Sequence, residues 1–185
     1  MAEPANEIFD LVDDSGNIIG SEKRSIVHAK GLLHRAVYVW VFNRTRHLLI
    51  QQRAALKSIG PNLWDLSVAE HLTQGETYLQ AAIRGLSEEL GIKNISPDAL
   101  IGPLGPPRRQ ELHHQVGDKE FHDIELVQSY MLINYDGEVS LDDGEVSDTK
   151  WVGVEDLRKE VEVHVDQYSP WMIAEGSSFG WKFQF

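Results

Sequence analysis

The run A-V-Y-V-W-V-F from Ala36 to Phe42 has no charged or amide residue in it. Seven such positions in a row suit a strand covered on both faces better than a surface strand with one wet side. L-L-I-Q-Q-R at Leu48–Arg53 reads as its partner across the N-R-T-R-H turn. Upstream, within Glu7–Ile26, the segments I-F-D-L-V, D-D-S-G-N and I-I-G pattern as a β-hairpin. A loop, Ala54–Asn62, leads into a short strand at Trp64–Val68. The period then changes to that of a helix. Leu79, Ile83, Leu86 and Leu90 form an apolar stripe, Thr77 and Gln80 read as a capping box, and Gly91 reads as the stop. On this period Arg84, Glu88 and Glu89 project from the opposite side.

Beyond Gly91 the pattern gives a connection with Pro103, Pro106 and Pro107, a strand at Ile124–Asn134 and an acidic turn region at Asp136–Asp148. A strand at Lys150–Val154 and a short helix at Val154–Val163 follow. The tail is rich in aromatic residues (Tyr168, Trp171, Phe179, Trp181, Phe183, Phe185), which suits packing over a sheet. This order favours an α/β architecture, a mixed sheet between helices, in one domain spanning residues 1–185.

Composition narrows the function classes. A chain of 185 residues that is 42% hydrophobic can build one well-packed domain and is short for two. A formal charge of -12 argues against a general nucleic-acid binder, although a local cation cluster or a metal can still attract a small phosphorylated ligand. No apolar run reaches membrane-spanning length, and the N-terminus is acidic, unlike a secretory or mitochondrial signal. The expectation is a cytoplasmic protein with no membrane partner. The absence of cysteine excludes disulfides, thiolate ligands and thiol nucleophiles.

Several residues could carry chemistry. Glu88 and Glu89 are like charges about a quarter-turn apart, which suits a cation between them or a solvated helix face. Arg84 could orient them or simply pair with Glu88 one turn on. His28, His34 and His71, with Asp123 and Glu125, are ligand types for a transition metal. Asp123 and Glu125 alternate on a strand and so share a face. Arg53 offers a planar fork and Lys57 a mobile point charge, both suited to phosphate oxygens, or to solubility alone. Arg108, Arg109, His113 and His114 make a further local positive patch.

The stretch Glu70–Ile92, E-H-L-T-Q-G-E-T-Y-L-Q-A-A-I-R-G-L-S-E-E-L-G-I, resembles the Nudix box, G-x5-E-x7-R-E-U-x-E-E-x-G-U with U a bulky aliphatic residue. Glu76, Arg84, Leu86, Glu88, Glu89, Gly91 and Ile92 fall on pattern. Glu70 stands where the family has its first Gly, and Gly85 where the family has the Glu after Arg. The two residue types have exchanged places. The resemblance implies an α/β/α sandwich and a Mg²⁺- or Mn²⁺-dependent hydrolase of a diphosphate linkage in a nucleoside-diphosphate-type or related small molecule. It also implies that Glu88, Glu89 and the Ala69 backbone carbonyl face the metal and that Arg84 orients the carboxylates. On this basis Glu70 is expected to supply, from the loop, the carboxylate missing at 85.

A second resemblance, to isopentenyl-diphosphate isomerases and their Nudix-hydrolase relatives, is carried by four segments. They are V-H-A-K-G-L-L-H-R-A-V-Y-V-W-V-F-N, N-L-W-D-L-S-V-A-E-H, D-I-E-L-V and Y-S-P-W. It implies that His28, His34, His71, Asp123 (a Glu in that family) and Glu125 are metal ligands and that Arg53 and Lys57 hold a diphosphate. Ala69 occupies the position of the isomerases' catalytic cysteine, which argues against isomerisation. The alternatives are hydrolysis, binding without turnover, and isomerisation.

Overall fold

The computed structural model describes residues 6–57, 59–116, 119–141 and 144–183, without the side chains of 114–121. Strand β1 (Ile8–Val12) and strand β2 (Ile18–Lys23) form the expected antiparallel hairpin. Asp13 closes its turn by accepting from the backbone N–H groups of Ser15 and Asn17, both at 2.9 Å. Helix α1 (Arg24–Lys30) follows, and the sequence pattern had not indicated it. It has seven residues, no side-chain N-cap and a β-branched pair, Ile26 and Val27, so no local signal marks it.

Strand β3 (His34–Phe42) is the spine of the sheet. One edge pairs in parallel with β9 (Lys119–Leu132), from His34 opposite Glu125 to Val41 opposite Leu132. The other edge serves three antiparallel partners in turn. His34 meets β1, Ala36–Val39 meet β6 (Val68–His71), and Val41 and Phe42 meet β4 (Leu48–Arg53). Strands β4 and β6 therefore fork away from one edge of β3, and the fork opens a cleft.

Strand β5 (Trp64–Asp65) pairs with β4, so the strand expected at Trp64–Val68 is two short strands with different partners. Two-residue β7 (Leu100–Ile101) and β8 (Arg108–Val116) both pair with β9. The connection after Gly91 thus contains a nine-residue strand where the reading had only a Pro-rich link. β9 begins earlier than the expected Ile124. β10 (Val146–Val152) takes up the end of the expected acidic turn and pairs with β4.

Alternation along β3 separates two cores. Ala36, Tyr38, Trp40 and Phe42 pack with Ile50, Val127 and Met131 under helix α3 (Val154–Val163) and helix α4 (Pro170–Ser178). Val37, Val39 and Val41 pack with Leu49, Val68 and Leu132 under helix α2 (Tyr78–Leu90). A strand buried on both faces needs its continuous apolar run, and the layers are those of an α/β/α sandwich.

Helix α2 is capped as its sequence dictates. Thr77 and Gln80 form the reciprocal capping box, and Gly91 ends the helix at φ 63° with its N–H bonded to Leu86. The buried face is not quite the expected stripe. Leu86 and Leu90 are buried, but so are Ala81, Ala82, Gly85 and Glu89, while Leu79 and Ile83 sit half-buried at the margin. Glu89 therefore faces the sheet, contrary to the outward projection read from periodicity. Among the described residues no helix is long and apolar enough to cross a membrane.

Candidate active site

The fork between β4 and β6 opens into a cleft of about 400 Å³. Its walls carry Tyr38 from β3, Gln51 and Arg53 from β4, Ala69, Glu70 and His71 from β6, and Arg84, Glu88 and Glu89 from α2. Arg24 and His28 of α1, Asp123 and Glu125 of β9, Trp171 of α4, Glu7, Lys57 and Glu145 complete the charged and aromatic lining. Seven carboxylates face four Lys and Arg side chains there. An anionic ligand would enter such a cleft only with cations beside it.

At one end, α2 and β6 bring carboxylates together across Gly85. A Cβ added at Gly85 would lie 2.5 Å from Val68 Cγ1 and 3.3 Å from Glu70 Cβ. The helix can approach β6, and Glu70 can occupy this space, only because residue 85 has no side chain. Arg84 organises the group: Nη1 lies 3.1 Å from Glu70 and 3.0 Å from Glu88, and Nε and Nη2 form a fork on Glu76 at 3.0 Å each. Nη2 also donates to the His71 carbonyl at 2.8 Å. Glu88 is more than half exposed, whereas Glu89 is buried. Gln51 Nε2 donates to Glu89 Oε2, and Glu89 Oε1 is buried with no hydrogen-bond partner. Burial pushes the Glu70 carboxyl up to about 7, against the pull of Arg84. Burial and the neighbouring Glu70 push Glu89 well above the carboxylate range. A cation set between these groups would restore their charge.

At the other end, ligand atoms of His28, His34, His71 and Asp123 lie within 4.8 Å of one another. His34 Nδ1 is 2.9 Å from the Leu32 carbonyl, which can only accept, so Nε2 keeps a bare lone pair. His34 Nε2, His28 Nε2 and Asp123 Oδ1 are buried without hydrogen-bond partners, with the two nitrogens 3.6 and 3.7 Å from that oxygen. Burial, with the His71 charge adding to it, holds His28 down to about 3, which keeps it neutral as a metal ligand must be. Burial raises both Asp123 and Glu125, and the two carboxylates raise Asp123 further by mutual repulsion. His71 differs. Arg24 Nη1 donates toward its Nδ1 at 3.3 Å, and its Nε2 faces Glu125 Oε1 at 3.1 Å. To ligate through Nε2, His71 must carry its proton on Nδ1, and Arg24 Nη1, already 3.5 Å from Glu7, must give up its bond to the ring. Two buried histidine nitrogens and a buried carboxylate oxygen, all unpartnered, fit a transition-metal ion.

The two basic residues expected to hold diphosphate both line the cleft, but both are engaged by the protein. Arg53 bonds Asp65 at 3.0 Å, donates twice to the Ile59 carbonyl and lies 5.1 Å from the Trp171 ring centroid. Lys57 pairs with Glu145. The Arg108–Arg109 patch is not brought to the cleft. Arg108 binds buried Glu175, Arg109 binds Asp14, His113 pairs with Glu111, and the His114 side chain lies outside the described residues. In the tail, Tyr168 and Trp171 are core residues, Trp181 and Phe183 pack on Trp40 and Phe183 also on Phe42, and Phe185 lies outside the described residues. Tyr38, Gln51 and Arg24 went unnoticed as cleft residues. Gln51 had a signal, an amide interrupting an apolar strand.

A forked mixed sheet between helices, with an acid-bearing helix on one face, makes this an α/β/α protein with a candidate metal site. The comparisons fix the family. The NUDIX domain model matches residues 32–172, and the chain belongs to the Nudix domain family. It is 34% identical over 181 residues to the isopentenyl-diphosphate Delta-isomerase 2 of Photorhabdus laumondii, covering 94% of each chain. It is 37% identical over 174 residues to Nudix hydrolase 3 of Arabidopsis thaliana, matching 91% of this chain and 22% of that protein. A crystal structure from Deinococcus radiodurans superposes with a TM-score of 0.63 at 23% identity, over 85% of this chain and 90% of that one, and shares the fold.

Proposed function

We propose that this protein hydrolyses a diphosphate linkage in a small nucleoside-diphosphate-type or related molecule, with Mg²⁺ or Mn²⁺ as cofactor. The observation that carries the reading is Glu70 beside bare Gly85, within the same Arg84-organised group as Glu88 and next to buried Glu89. In this reading the carboxylate absent from the helix at 85 is supplied from β6, rather than from the loop the sequence suggested, in the space that bare Gly85 leaves. Glu70, Glu88, Glu89 and the Ala69 carbonyl would hold the cation. Bound there, it supplies charge neutralisation on phosphate oxygens and acidifies the attacking water. Arg84 keeps the carboxylates aimed. Glu70, ionised beside that cation, would take the water's proton as the oxygen attacks phosphorus and the bridging P–O bond breaks. Lys57 and the two N–H groups that Arg53 does not spend on Asp65 and Ile59 would meet the departing phosphate.

The test is phosphate release across a library of nucleoside diphosphates, dinucleotides, nucleotide sugars and prenyl diphosphates under saturating Mg²⁺. Turnover that Glu70→Gln abolishes is the expected result. Tight binding with no turnover anywhere in the library would make the protein a diphosphate binder instead.

Isomerisation has one argument in its favour, the Photorhabdus relative and its namesakes. The residue against it is Ala69, directly across from Tyr38 in the β6–β3 register and on the cleft wall. A methyl group cannot exchange a proton. Incorporation of solvent deuterium into isopentenyl diphosphate would reverse this judgement.

A further inference from the structure

Each of the two carboxylates beside the histidines accepts from one neutral donor, on the oxygen opposite the one that faces the rings. Trp171 Nε1 donates to Asp123 Oδ2 at 3.2 Å, which leaves Oδ1 toward His28 and His34. Tyr38 Oη donates to Glu125 Oε2 at 2.6 Å, which leaves Oε1 toward His71. The direction of the second bond is fixed. Gln110 Nε2 donates to the same phenol oxygen at 3.2 Å, so the single phenol proton goes to Glu125. An indole N–H can only donate, so the first bond is fixed too. The two donors come from distant parts of the chain, β3 and α4.

We infer that Tyr38 and Trp171 are positioning residues of the histidine cluster, each fixing the carboxylate plane of Glu125 or Asp123 so that its other oxygen points at the bound cation. A carboxylate without such a donor can rotate its plane, and the angle that aims an oxygen at the cation must then be fixed on binding. Outer partners of this kind set ligand orientation and metal affinity. Burial makes the two bonds consequential. Tyr38 is 1% exposed, Asp123 4% and Glu125 3%, so no solvent replaces a lost donor. Trp171 also lies under the Arg53 guanidinium, so one ring joins the metal end of the cleft to its phosphate-facing arm.

The inference rests on reading the cluster as a metal centre, and Co²⁺ titration separates the two. Visible bands present in the full-length protein and absent from His34→Gln identify Co²⁺ in the cluster. If wild type shows no such bands, the metal-centre reading and the inference both fail. Tyr38→Phe and Trp171→Phe keep their rings and lose only the donor. Each is expected to weaken Co²⁺ binding about 10- to 100-fold and to change the band pattern. Tyr78→Phe is the control: it removes a hydroxyl that binds the Leu126 carbonyl of β9 at 2.9 Å without touching either carboxylate, and it should bind Co²⁺ like wild type. Wild-type affinity and spectrum in both positioning variants would overturn the inference. So would an equal loss in Tyr78→Phe, which would mark a general loosening of β9. The two variants report on different carboxylates, so if one fails to fold the other still decides.

Discussion

The two ends of the cleft are built in opposite ways. The carboxylate end comes from one stretch, Glu70 to Glu89, and a single guanidinium organises it by touching Glu70, Glu76 and Glu88. The histidine end takes residues from α1, β3, β6 and β9, and aromatic donors from β3 and α4 orient its acids. One end is local and ionic. The other is long-range and held by neutral hydrogen bonds. A local ionic site can trade residues among positions that lie close together, as the proposed role of Glu70 requires. A site drawn from four elements has no such freedom, because moving one ligand means moving a strand or a helix.

The sharpest way to break this comparison is at Glu89. Replacing it by Gln keeps the shape and removes the carboxylate whose Oε1 is left unpartnered. Turnover should fall on the order of 10²- to 10³-fold, the scale for losing one preorganised electrostatic contact. Phosphate-release kinetics would read it, and Glu88→Gln, at the exposed position, should lose less.

The histidine end should respond in stability. A transition metal at 100 times its Kd should stabilise the fold by about 2.7 kcal/mol, seen as a rise in unfolding midpoint that a chelator reverses. In His34→Gln the midpoint should not respond to metal. A persisting response would place the ion elsewhere.

Gly85→Ala tests whether the exchange is steric. The new Cβ would sit 2.5 Å from Val68 Cγ1, and overpacking of this kind costs about 1–3 kcal/mol, offset in part by a gain of about 1 kcal/mol in helix propensity. The single variant should melt lower than wild type, and adding Val68→Ala should recover it. A higher melting point in the single variant would contradict the packing argument.

The smallest effect concerns Glu76. Burial opposes its ionisation, but the bonds from Arg84 and Thr73 prevail and hold its pKa below the usual 4.5. A depressed carboxylate contributes stability above its unfolded pKa and loses it as pH falls through the folded one. The gap in urea midpoint between wild type and Glu76→Gln should therefore narrow as pH drops below about 4.5. A gap that stays constant to pH 3 would mean that ionisation is not what Glu76 contributes.

By itself the sequence determined whatever depends on near neighbours in the chain. The apolar run at Ala36–Phe42, the capping box at Thr77 and Gln80 and the stop at Gly91 are all local, and each has its expected counterpart in the structure. Tertiary structure decided the rest. Helix α1 is too short and too β-branched to announce itself, and β8 is a strand because β9 pairs with it along its whole length. Periodicity gave Glu88 and Glu89 the same outward side, but packing turned Glu89 in toward Gln51 and left Glu88 in solvent. Histidines 28, 34 and 71 meet because α1 docks beside β9 while β6 pairs with β3, and no spacing along the chain encodes that meeting. A helical period fixes direction only relative to its own axis, so which direction is inward depends on the partner that covers it.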